Sequence, residues 1–331
     1  MWEAASQQYH YSDREDVTVL KYTVKRILLA VVTTFLILTL LFIMLRAMPG
    51  SPFNDEKITQ VQRAALEAKY GLDKPMYIQY FNYVKAMLRG DFGVSYVIQK
   101  NMPISELLKV RVPVSLQIGG QAVVLGTLIG IVLGIVAAIK RNSFADSFAT
   151  FVSVIGVSFP SYVFALAMSY FIGFKMEWLP LLYTTSHPFL STIMPTISMC
   201  MFSMATVARF ARTEMVEVLG SDYMTLADAK GIPSRRLIGV HALRNALIPI
   251  ITVLAPLTME LMTGSLVVEQ IFAIPGLGSL LVTAIQFNDY NVVLAVIFFY
   301  SIAFILMMLV VDILYGVIDP RIRLAKEERK V

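Results

Sequence analysis

A single cysteine in 331 residues, Cys200, excludes an intramolecular disulfide and a cysteine-ligated metal cluster. The three histidines, His10, His187 and His241, fall in the N-terminal segment, a predicted outer loop and a predicted inner loop. That scatter excludes a histidine-based metal centre within one chain. No Gly-Lys pair occurs anywhere, so the Gly-x-x-x-x-Gly-Lys-Ser/Thr phosphate loop is missing and this polypeptide is not itself an ATPase. Neither a nucleophile elbow nor a zinc-protease motif is present. Enzymatic chemistry has no residues to carry it. Charge is also scarce, at 15% of residues. The formal net charge of +5 does not point to nucleic acid, because basic residues on an apolar chain mark the cytoplasmic side of a membrane.

What is plentiful is hydrophobicity, with 57% apolar residues and a mean hydropathy of +0.68, too apolar for a soluble domain. A bilayer core of about 30 Å takes about 20 apolar residues per helical crossing. Six stretches qualify, at 24–48, 113–139, 148–174, 189–210, 246–268 and 291–317. Strand alternation is absent and backbone amides find no water in lipid, so each stretch is read as a helix. The fold class is an all-α integral membrane bundle of six transmembrane helices. The first stretch follows acidic residues and lacks a small-residue cleavage site, which predicts a retained span and no signal peptide.

Lys21, Lys25 and Arg26 precede the first stretch, Lys140 and Arg141 follow the second, and Arg321, Arg323, Lys326, Arg329 and Lys330 crowd the tail. Six crossings then put every short basic segment, and both termini, in the cytoplasm. The expected layout is a cytoplasmic segment over 1–23, the first span over 24–48 and an external subdomain over 49–112. A five-helix core over 113–318 and a cytoplasmic tail over 319–331 complete it. Long segments translocate largely regardless of charge, so 49–112 is placed outside although it carries nine Lys/Arg against six Asp/Glu. Within it, ITQVQRAALEAKYG predicts a helix ending at Gly71.

A polar island over 221–245, SDYMTLADAKGIPSRRLIGVHALRN, separates two long apolar runs. Asp222 is expected to cap a short helix, Gly231 to supply a left-handed turn, Pro233 to stop continuation, and Ser234 to cap a second short helix. Two short helices joined by a tight bend are a docking element, since topology alone requires no such bend. The last outer connection, EQIFAIPGLGSLLVTAIQFNDY over 269–290, is apolar yet broken by Pro275, Gly276 and Gly278. It reads as a re-entrant or pore-mouth segment, or else as a turn packed on neighbouring helices.

These motifs together carry a resemblance. RAMPGSP at 46–52, YGLDKP…RGDFGVS within 70–95, VEQIFAIPGLG, and DILYGVIDPRIR at 312–323 resemble the first permease subunit of an oligopeptide/dipeptide ABC importer of the binding-protein-dependent type. DYMTLADAKGIPSRRLIGVHALRNALIP resembles the cytoplasmic coupling loop of such permeases, with Thr225-Leu226-Ala227 where the pattern often begins with glutamate. The resemblance implies a type I ABC-importer permease fold in the cytoplasmic membrane. It implies a second homologous permease, two cytoplasmic ATPase subunits, an external substrate-binding protein and a peptide substrate as partners. This chain would hold no cofactor, ATP and magnesium being bound by the ATPases. Oligopeptides rank first and dipeptides second, because 261–276 looks closer to the oligopeptide branch; nickel and glutathione importers have similar permeases.

The docking residues so implied are Asp222, Tyr223, Ala227, Ala229, Lys230, Gly231, Pro233, Arg235, Arg236, His241, Arg244 and Asn245. The small Ala227 and Ala229 allow close approach, and the basic residues suit acidic groups on a partner or lipid phosphates. Glu260, Glu269, Pro275, Gly276 and Gly278 are assigned to the translocation path. An ionisable side chain at helix centre costs a few kcal/mol, so Glu260, Glu269 and Asp312 need partners or water. Glu260 is expected to line the path, pair with another subunit or stay protonated. The rival class is a self-sufficient ion-coupled transporter using Glu260 or Glu269. A scaffold without transport is the third.

Overall fold

The computed structural model describes residues 27–29, 31–46 and 59–318. The predicted terminal segments 1–23 and 319–331 lie outside them, as do the side chains of Glu260 and Asp312. The chain is helical, and among the described residues the only β pairing is an isolated bridge between Val94 and Pro103.

Helix α1 (Ile27–Arg46) is followed by two short helices, α2 (Gln60–Tyr70) and α3 (Met76–Met87). Thr59 and Gln62 exchange backbone and side-chain hydrogen bonds in a capping box that opens α2, and Gly71 closes it at φ +68°, where the sequence predicted its end. Helix α3 lies along the C-terminal half of α1. The Tyr80 hydroxyl is 2.7 Å from Thr39 Oγ1, and the Phe42 ring packs edge-on against Tyr80.

The long helices are α4 (Ile104–Ile139), α7 (Pro188–Leu219), α10 (Leu243–Ile271) and α12 (Tyr290–Ile318). Between α4 and α7 lie α5 (Phe144–Ser158) and α6 (Ser161–Met168), the latter continued by a π turn over Ser169–Lys175. Among the described residues four helices, α1, α4, α7 and the Tyr290–Val310 part of α12, are long and apolar enough to cross a membrane. At 29 residues, α10 contains the run predicted at 246–268.

The third predicted span, 148–174, is not one straight helix. The axes of α5 and the α6 segment differ by 98°. Pro160 has no N–H to donate and crowds the residue before it, and Phe159 accordingly takes an extended conformation with φ −98° and ψ 127°. Counted as a pair, these helices make a fifth spanning unit. Other boundaries move outward. Helix α4 starts nine residues before the predicted 113 and carries Pro113 inside it, and α7 continues nine residues past 210 to Leu219.

The centre of the bundle is α7, packed against α4, α5, α6 and α10. Its many hydroxyls are buried without being orphaned. Ser198 Oγ returns to the Met194 carbonyl at 2.7 Å and Thr196 Oγ1 reaches Gln121 Oε1 at 3.0 Å. Met194, Met199 and Met204 are buried, the core-filling use of thioethers. Arg212 grips Asp146 with two hydrogen bonds of 2.6 and 2.8 Å, fastening α5 to the far end of α7.

Helices α4 and α7 touch backbone to backbone. A Cβ built on Gly130 would stand 2.7 Å from the Met204 carbonyl oxygen and 2.8 Å from Val207 Cβ. Gly130→Val is therefore expected to cost about 1–3 kcal/mol of packing. Thermal unfolding of the solubilised protein checks this, and an unchanged midpoint would show that the two helices separate without loss.

Candidate functional site

At one end of the bundle the polar island begins after Gly220, which closes α7. Helix α8 (Asp222–Ala229) follows. Its cap position is held by Ser221, whose hydroxyl turns back to the Val218 carbonyl at 2.6 Å. Asp222 does not occupy the cap; it is the first helical residue, where its charge still suits the positive end of the helix. Gly231 has φ +75°, the left-handed turn expected there.

Beyond the turn, the second short helix of the sequence reading is not separate. Pro233 takes the cap position, α9 (Ser234–Arg236) runs into a π turn over Leu237–Ala242, and that runs into α10. The residues joining these pieces all keep helical angles, so nothing ends the helix between Ser234 and Ile271. Movement of the island is thereby movement of the end of α10.

Met224, a residue the sequence reading passed over, anchors α8 by inserting among Ala138, Met215, Ala242 and Ala246. With Met224 only 2% exposed, helical geometry turns Tyr223 and Leu226 outward, at 43% and 57%. Ala227 and His241 are half-buried. Ala229, Lys230, Gly231, Pro233, Arg235, Arg236, Arg244 and Asn245 are exposed. The Asn245 side-chain amide donates to the Tyr223 hydroxyl at 2.9 Å and ties α8 to the start of α10. The island thus presents an apolar pair, Tyr223 and Leu226, together with a basic flank.

The second region is the broken segment after α10. Helix α10 ends at Ile271 with Phe272 as its cap, the chain reverses through Ala273 and Pro275, and α11 (Leu277–Gln286) begins beyond Gly276. Glu269 is 1% exposed. Its Oε1 accepts from Ser115 Oγ at 2.7 Å and its Oε2 accepts from the Ser279 N–H at 2.9 Å. Ser115 Oγ in turn accepts the Leu277 N–H at 2.7 Å. The first turn of α11 therefore takes its caps from a carboxylate on α10 and a hydroxyl on α4. Arg111, also on α4, reaches the Gly276 carbonyl and Ser279 Oγ at 3.4 Å.

Gly276 and Gly278 lie over this carboxylate. A Cβ on Gly276 would stand 2.5 Å from Glu269 Oε1, and one on Gly278 would stand 2.9 Å from Leu266 Cα. The structure thus brings Glu269, Pro275, Gly276 and Gly278 together in one hairpin. The backbone of Glu260 lies on α10, apart from them. Neither Ser115 nor Arg111 stands out in the sequence, because both sit 150 residues or more from the hairpin they serve.

Three comparisons bear on this arrangement. The family described as binding-protein-dependent transport system inner membrane component matches residues 130–324, and the N-terminal segment of such membrane components matches residues 19–118. The chain belongs to this family. It is 42% identical over 306 residues to the dipeptide transport system permease protein DppB of Lactococcus lactis subsp. cremoris, covering 92% of this chain and 100% of the relative. It is 38% identical over 306 residues to the oligopeptide transport system permease protein OppB of Haemophilus influenzae, again covering 92% and 100%. An inward-facing structure of the MetNI methionine ABC transporter matches with a TM-score of 0.54 and 16% identity, covering 65% of this chain and 97% of that one. As a member of the family, the chain is a multi-pass permease subunit of an ABC importer, with the type I permease fold.

Proposed function

We propose that this permease carries peptides across the cytoplasmic membrane by alternating access, driven by separate ATPase subunits and fed by an external binding protein. The observation that carries the reading is the continuity of the island with α10. A push on α8 reaches the outer hairpin through one unbroken helical run and the Glu269 contacts at its far end. ATP-driven closure of partner subunits is then able to bias inward- and outward-open states.

On this reading Tyr223 and Leu226 enter a groove on an ATPase. Lys230, Arg235, Arg236 and Arg244 face acidic groups there, and within this chain they form no ion pair among the described residues. A second, homologous permease completes the path, both termini are cytoplasmic, and residues 59–103 lie outside. The hairpin over 274–278 lines the outer mouth, with Glu269 supporting it from behind. Relatives named for dipeptide and for oligopeptide transport both match over nearly their whole length, so peptide length is assigned to the binding protein.

Purification of the chain in mild detergent from its native membrane tests this. Two phosphate-loop ATPases, a second permease and vanadate-sensitive ATP hydrolysis are expected. Recovery of the chain alone, moving solute in liposomes without ATP, would overturn the proposal in favour of an ion-coupled carrier.

A further inference from the structure

Asp289 stands between α11 and α12 and is completely buried. An aspartate just ahead of a helix ordinarily caps that helix with its own side chain. Here the carboxylate goes elsewhere. Ser95 Oγ donates to Oδ2 at 2.5 Å, and the Tyr96, Val97 and Ile98 N–H groups donate to the same oxygen at 3.1 to 3.3 Å; Tyr96 N–H also lies 3.1 Å from Oδ1. These donors belong to a turn almost two hundred residues earlier in the chain. Ser95 Oγ also accepts the Gln99 N–H, which folds the turn around the carboxylate.

Neighbouring contacts converge on the same spot. The Asn291 side-chain amide donates to the Val94 carbonyl at 3.2 Å. The Arg46 guanidinium, at the end of α1, lies 5.5 Å from the Phe42 ring centre and 5.6 Å from that of Tyr290. Phe92, Ile98 and Met102 pack on the apolar cluster that α4, α11 and α12 share. The donors lie within the N-terminal family segment, 19–118, and the acceptor within the permease segment, 130–324. Asp289 is thus a second place, besides the Ser115–Glu269 contact, where the two segments are joined by charge-assisted hydrogen bonds, at the corner that carries the outer hairpin.

We propose that Asp289 is a positioning residue for transport: it makes α1 and the 59–103 subdomain one body with the α11–α12 corner, so that the subdomain follows the outer mouth as it opens and closes. A buried carboxylate with this many donors cannot release them singly without leaving polar groups unpaired, so the joint moves whole or not at all. The consequence for transport rests on the permease reading above; the rigidity of the joint does not.

The test uses the complete complex in nanodiscs, with spin labels on Val61→Cys and Gln286→Cys, both exposed positions, while the buried Cys200 stays unlabelled. With Asp289 intact, one narrow distance is expected throughout the ATP cycle. Asp289→Ala is expected to broaden that distribution and to lower peptide uptake about tenfold, the equivalent of one lost charge-assisted hydrogen bond, while basal ATP hydrolysis by the partners persists. A role in stability alone would lower the thermal midpoint and leave the distance narrow. A narrow distance in the alanine variant, or uptake equal to that of the unsubstituted complex, overturns the proposal. If the alanine variant fails to assemble, Asp289→Asn, which keeps one acceptor oxygen, is judged by the same two readouts and is expected to fall between. Absence of uptake by the unsubstituted complex would remove the transport reading and leave the distance measurement to decide the joint.

Discussion

Replacing Glu269 by alanine is expected to abolish peptide uptake, whereas replacing it by glutamine is expected to leave most of it. The alanine variant strips the acceptor from Ser115 Oγ and from the Ser279 N–H in a site closed to water. Each orphaned donor costs about 1–3 kcal/mol, so the hairpin loses its position by about a hundredfold. Glutamine has nearly the same shape. Its carbonyl can still accept from Ser279, and its amide can donate to Ser115, so the α11 cap survives at a loss of tenfold or less, about 1.4 kcal/mol. Uptake by the reconstituted complex at equal membrane level is the measurement. Equal loss in both variants would mean that ionisation itself is required, and would revive the ion-coupled reading in which Glu269 carries a proton.

That pair of variants also bears on what the sequence discloses. A glutamate next to a Pro-Gly break was legible as a site of consequence, because an ionisable group in an apolar run needs partners. Its partners were not legible. Ser115 and Arg111 lie on another helix, and pairings of such separation leave no local pattern. Asp289 was missed for the same reason: between Asn288 and Tyr290 it looks like an ordinary turn or cap residue, and only the fold brings residues 95–98 around it. Local rules did well where conformation is decided locally, as at Gly71 and Gly231, whose left-handed angles were expected from helix-ending chemistry. They failed where two local rules compete. Pro160 sits inside an apolar run that hydrophobicity alone reads as one span, yet the chain bends there by 98°. Ser234 follows a proline and looks like a cap, yet the helix it belongs to merges with α10 and runs on through Pro249 and Pro256 to Ile271.

This merger makes Gly231 the next position of large expected effect. The residue holds φ +75°, and a Cβ placed on it would meet nothing within 4 Å. Any penalty for substitution is therefore backbone strain and not steric crowding of neighbours. A left-handed conformation costs an ordinary residue about 1–2 kcal/mol, a β-branched one more, and asparagine least, because its side chain tolerates that region. Uptake is accordingly expected to fall in the order asparagine, alanine, valine, with Gly231→Val losing about tenfold or more. Membrane level should be unaffected, since the turn lies outside the apolar runs and Met224 still anchors α8. ATP hydrolysis in Gly231→Val should persist without matching transport, because a relaxed turn changes the angle between α8 and the α9–α10 rod through which the push must pass. The ratio of peptide moved to ATP consumed, measured across the three variants, carries the argument. A constant ratio would mean that the bend does not transmit force, and α8 would then serve only to hold a partner in place.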